Sequence, residues 1–158
     1  MLRATAILPP DHARGTPFDL VILEHDERRL RRKLLRLVHG DEVLVDFPQT
    51  VTLEHRSVLE LEDGRLVEVI AAEEYLHEVR AGDAGHLLRL AWHIGNRHTP
   101  AQLEPDRILI KRDHVLRAML EGLGATVTDV REPFFAEHGA YSHSHGAADG
   151  GHALLRRQ

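Results

Sequence analysis

The chain reads as an α+β protein: a small all-β domain, then a ferredoxin-like βαββαβ domain, then a flexible His-containing tail. Three observations predict this. Over residues 1–73, short alternating apolar runs recur between turn signals, the pattern of a strand-only domain. Over residues 74–136, two helical patterns, each preceded by an acidic cap, alternate with short strand runs. Over residues 137–158 the apolar pattern stops and Gly, Ala, Ser and His take over. Such a segment cannot bury enough surface to offset its ordering entropy.

Each element follows from local chemistry. Ala4 to Leu8 is a strand stopped by Pro9-Pro10. Phe18 to Leu23 is a second. Asp26 to Arg32 is ambiguous between strand and a helical turn. Leu34 to Val38 and Glu42 to Phe47 flank His39-Gly40-Asp41, a hairpin around a Gly-containing turn. Thr50 to Leu53 and Val58 to Leu61 follow, and Glu62-Asp63-Gly64-Arg65 turns the chain back into Leu66 to Ala71. Short strands at this spacing fit a small barrel or a sandwich.

The second domain opens with an alternating strand, Tyr75 to Val79. Asp83 caps a helix running to about Arg97, with Leu87, Leu88, Leu90, Ala91 and Ile94 as its apolar face. Ala101 to Leu103 and Ile108 to Ile110 are short strands. Asp113 caps a second helix whose apolar face is Val115, Leu116, Met119, Leu120 and Leu123, with Gly124 as its stop. Ala125 to Val130 closes the βαββαβ order, in which two helices cover one face of a four-stranded sheet.

Composition limits the function. The chain has 158 residues and 42% hydrophobic content, enough for a packed core, but only 4% aromatics. A formal charge of -5 argues against a nucleic-acid partner. The run Arg28-Arg29-Leu30-Arg31-Arg32-Lys33 is a local exception and reads as a solvated face opposite Leu30, Leu34 and Leu35. No apolar run approaches the roughly 20 residues of a membrane span, and the apolar stretch within Met1 to Pro10 is too short for a secretory signal. The expected setting is cytoplasmic, with no membrane partner. With no cysteine and thirteen histidines, metal ligands must be His, Asp, Glu or backbone.

The chemistry concentrates at Ala91-Trp92-His93-Ile94-Gly95-Asn96-Arg97-His98-Thr99-Pro100. Gly95 weakens the helix and Pro100 forbids its continuation. His98 therefore sits where the helix ends, free to face a partner, although the helix dipole alone favours a His there. In the tail, His143 and His145 lie two apart, so in an extended chain they point to one side. They fit either an ion site or an incidental His-rich segment. His86 and His93 read as a solvated helix face, His114 as a first-turn residue, and His12, His25, His39, His55 and His77 as structural or surface positions. Enzyme signatures are absent: no His-Glu-x-x-His pair, no Gly-x-Ser-x-Gly elbow and no phosphate-binding Gly-rich loop. Loosely held imidazoles suit holding and releasing an ion better than catalysis, which needs tight positioning.

At these residues a family resemblance is evident. Trp92 to Gln102, containing Gly95-Asn96-Arg97-His98, resembles the signature of UreE-type urease accessory proteins. So do Lys111-Arg112-Asp113-His114-Val115, Met119 to Ala125, and Glu132-Pro133-Phe134 with Gly139-Ala140-Tyr141 before a His-containing tail. The resemblance implies a non-catalytic nickel metallochaperone. It implies homodimers formed through the ferredoxin-like domain, with His98 from both subunits binding Ni²⁺ at the interface. His143 and His145 would complete or supplement that site. His114 matches a secondary metal position; Arg112 stands where some members carry a further His. Zn²⁺ and Cu²⁺ are the expected competitors of Ni²⁺, since imidazole accepts all three. The implied partners are apo-urease and the other urease accessory proteins, including a GTPase. The alternative is a docking module of the urease maturation complex, its N-terminal domain binding a partner or peptide and its Zn²⁺ or Ni²⁺ binding incidental.

Overall fold

The computed structural model describes residues 1–138. They form two compact units. One comprises Met1–His77, Lys111–Asp113 and Thr128–Phe134; the other comprises Glu78–Ile110, His114–Val127 and residues 135–138.

The first unit is built on a six-stranded sheet of order β2-β6-β5-β1-β4-β3. Its strands are β1 (Leu2–Leu8), β2 (Asp19–Leu23), β3 (Arg29–Arg36), β4 (Glu42–Thr52), β5 (Val58–Leu61) and β6 (Leu66–Ala71). β1 runs parallel to β4, and β2 parallel to β6. A bond from Val38 N–H to Leu20 O brings the chain beyond β3 beside β2, so the sheet curls towards closure. Every second residue faces inward. Val43, Val45 and Phe47 of β4 meet Leu35, Leu59, Leu61, Val67 and Val69 in an apolar core. Asp19 is buried at the start of β2 and accepts from Leu20 N–H at 2.8 Å, His39 N–H at 3.2 Å and His39 Nδ1 at 2.7 Å. Burial pushes this carboxyl's pKa up, but the bonds from His39 and the backbone outweigh it and hold the group below the usual aspartate range.

The ambiguous stretch resolves into two elements. α1 (His25–Arg28) is one turn with a capping box between Glu24 and Glu27, and β3 begins at once. The basic run is therefore not wholly a solvated face: Arg28 is only 2% exposed. Its guanidinium donates to Leu23 O at 3.1 Å and to Phe134 O. Desolvation lowers the guanidinium's pKa, partly offset by Glu74. His25 packs against Phe134 with ring centroids 5.2 Å apart.

The second sheet has order β10-β7-β9-β8. Its strands are β7 (Glu73–Arg80), β8 (Ala101–Leu103), β9 (Ile108–Lys111) and β10 (Thr126–Pro133), with α2 (Ala84–Asn96) after β7 and α3 (His114–Gly122) after β9. The first and third strands are central and the second and last are at the edges, the ferredoxin-like arrangement. Leu90 and Ile94 of α2 and Leu116 and Leu120 of α3 pack with Val79, Ile108, Ile110 and Val127. Burying each such Leu or Ile side chain contributes roughly 1.5–3 kcal/mol, which is why these helices stay on the sheet. Among the described residues, no helix is long and apolar enough to cross a membrane.

Candidate metal centre

α2 sets the position of His98. Its N-terminus is fixed by Asp83, whose carboxylate accepts from His86 N–H at 2.7 Å. Leu90 and Ile94 anchor the inner stripe, with Leu87 and Ala91 partly buried beside them. The helix stops at Arg97, whose N–H still reaches Ile94 O at 3.1 Å. His98 then takes a left-handed conformation, φ 54°, with its N–H on Gly95 O at 3.0 Å. That position after a helix usually belongs to Gly. His is among the few side chains enriched in this region of backbone space, yet occupying it still costs on the order of 1 kcal/mol. The reversal turns the chain out of the helix and leaves the His98 side chain exposed. Among the described residues its imidazole has no hydrogen-bond or ion-pair partner.

Leu88 departs from the expected inner face. It is 74% exposed, and Trp92, one turn on, is 65% exposed. Residues four apart share a stripe, so Leu88 and Trp92 form an outward apolar ridge that runs along α2 towards His98. Trp92 sits edge-on to His93 at 5.1 Å.

His114 is the first residue of α3 and is also exposed. His143 and His145 lie outside the described residues. Among the described residues no group of three or more His, Cys, Asp or Glu side chains could hold a metal ion. His98 and His114 therefore do not belong to a complete cluster within the described part of one chain.

Several histidines do structural work that spacing did not reveal. His86 is not on a solvated face: Gly82 N–H donates to its Nδ1 at 3.1 Å, and its Nε2 contacts Leu123 O at 2.7 Å. This network assigns the proton to Nε2. The ring fastens the start of α2 to the end of α3, where Gly124 turns the chain with φ +89°. His77 is buried and contacts Asp129 Oδ1 through Nδ1 at 2.9 Å. His55 Nδ1 accepts from Ala71 N–H at 3.0 Å. The bonds of His86 to Leu123, His77 to Asp129 and His55 to Ala71 join residues far apart in sequence, so no local pattern announces them.

Comparison with known proteins finds relatives over nearly the whole chain. The family described as UreE urease accessory protein, C-terminal domain, matches residues 74–156, and its N-terminal domain matches residues 4–72. The urease accessory protein UreE of Rhizobium rhizogenes is 53% identical over 146 residues, spanning 92% of this chain and 87% of that protein. Its counterpart in Brucella anthropi is 55% identical over 148 residues, with the same shares of 92% and 87%. The Mesorhizobium japonicum protein is 54% identical over 144 residues, 90% of this chain and 74% of that protein. The chain belongs to the UreE family of urease accessory proteins.

Proposed function

We propose that this urease accessory protein carries Ni²⁺ as cargo and passes it to apo-urease. Two chains pair through their ferredoxin-like halves, and the His98 imidazoles of the pair hold one ion on the two-fold axis. His143 or His145 of the tail closes over it. His114 serves as a secondary position, and Zn²⁺ and Cu²⁺ compete for the same nitrogens. The other accessory proteins, including a GTPase, take part in the transfer. No substrate is turned over.

The observation that carries this reading is the state of His98. It is an exposed imidazole without a partner among the described residues, held in a left-handed turn. One neutral imidazole is a weak site. A two-fold axis doubles it at no cost in sequence, and the Leu88–Trp92 ridge gives the pairing apolar surface to bury. The experiment is a calorimetric Ni²⁺ titration of the full chain and of His98→Ala. Tight binding at half an ion per chain, lost in the variant, supports the reading. Unchanged tight binding in the variant ends it.

A further inference from the structure

The basic strand that the metal chemistry leaves unused has a pattern of its own. β3 is the terminal strand of the six-stranded sheet. Past the strand's end, Val38 bonds to Leu20 and His39 to Asp19 of β2. Its outward face carries Arg32, Leu34 and Arg36, spaced two apart, while Leu35 points into the core. Arg32 and Arg36 make no ion pair among the described residues. Leu34, between them, is 44% exposed.

The strand on the other side shows what this row pairs with. In the β3–β4 register Arg36 stands opposite Glu42, Leu34 opposite Leu44 and Arg32 opposite Asp46. β4 thus offers acid, apolar, acid at alternate positions to one edge of β3, while among the described residues no strand pairs with the other edge. Charge is often placed on a sheet edge to block pairing. An exposed Leu at the middle of the row works against blocking, because it offers an apolar contact to an incoming strand.

We propose that the free edge of β3 binds an extended acidic protein segment that repeats the β4 pattern: acidic, any, apolar, any, acidic. The segment adds as a strand. Its carboxylates meet Arg32 and Arg36, and its apolar residue covers Leu34. The pattern is symmetric, so it fits in either chain direction. This site is independent of the Ni²⁺ reading.

The test uses the full chain and a fluorescent peptide, Thr-Glu-Thr-Leu-Thr-Glu-Thr, read by polarisation. A peptide of the same composition with both Glu residues together is the control. Binding should favour the alternating peptide, weaken with salt, and fall about tenfold or more in Arg32→Glu/Arg36→Glu. N-methylation at alternate peptide nitrogens should abolish binding in one phase and spare it in the other, since only one set of N–H groups faces the sheet. Equal binding of the two peptides, or of both methylated phases, overturns the proposal. So does tighter binding of polyuridine, which would make the face a nucleic-acid contact. Leu34→Ser and the methylated peptides decide the matter if the double variant does not fold. Ni²⁺ titration of each folded variant should be unchanged, which separates this site from His98.

Discussion

At its N-terminal end, α2 places His86 between two backbone groups, accepting from Gly82 N–H and reaching Leu123 O. At its C-terminal end the same helix is followed by His98, whose ring touches no described donor or acceptor. One imidazole has both nitrogens committed to the fold; the other has both open. Net stabilisation from a hydrogen bond is about 1 kcal/mol, and His86 makes two. His86 is thus costly to remove and unavailable to a ligand. His98 is cheap to remove and available. The largest expected effect of this contrast is on metal binding. His98→Ala should weaken Ni²⁺ by about a hundredfold or more, beyond the 10–100-fold typical of an outer-shell partner. Its melting temperature should barely move. Calorimetry and thermal melts on one sample read both quantities. Affinity retained, or a collapsed melt, would break the contrast.

His86→Ala should do the reverse. Two backbone groups lose their partner, a loss of roughly 2 kcal/mol, or about 4–8 °C in melting temperature for a chain of this size. The folded variant should bind Ni²⁺ as before. If affinity drops while the melt is kept, the two histidines have exchanged roles.

Histidine placement also marks where sequence reading succeeds. The order of strands and helices was legible because burial imposes a period of two or 3.6 residues, and because Asp83 and Gly124 sit where caps and stops belong. β3 was only half legible. Its consecutive Arg residues mask the alternation, and the register shift between Leu30 and Arg32 breaks it. Pro48 hid the continuity of β4 through Thr52. Parallel pairing of β1 with β4 and of β2 with β6 leaves no local trace. At the site, the motif around His98 could be read because a helix end is local. The functions of His86, His77 and Arg28 could not, since their partners lie on distant segments. Leu88 was misplaced because Leu87, Leu88, Leu90 and Ala91 together exceed one stripe, and only packing decides which Leu turns outward.

His39 gives a third state, with one nitrogen committed. It clamps Asp19, whose carboxyl is held below the ordinary range. A depressed folded pKa means the stabilisation is complete above the unfolded aspartate value near pH 4 and is lost as pH falls through the folded one. Urea midpoints measured downward from about pH 5 should therefore decline below roughly pH 4, and Asp19→Asn should flatten that decline. The effect should be smaller than that of His86→Ala, because His39 is itself exposed and screened by solvent. An unchanged decline in the variant would place the acid sensitivity on other carboxylates.

The smallest effect separates strain from function at residue 98 itself. A left-handed backbone there costs a side chain on the order of 1 kcal/mol, and Gly avoids that cost. Gly also gains freedom in the unfolded chain, which returns roughly 0.4–1 kcal/mol of the benefit. His98→Gly should therefore be as stable as the parent or better by a few tenths of a kcal/mol. His98→Ala should be no more stable than the parent, since Ala keeps the backbone cost and lacks the local tolerance of His for this region. Both variants should lose the metal. Chemical denaturation of all three proteins gives the order Gly, His, Ala from most to least stable. If Ala ranks first, backbone conformation is not what residue 98 costs. If Gly ranks first and binds no Ni²⁺, the chain retains a strained His at a position where Gly would fold better, and the reason is the ring.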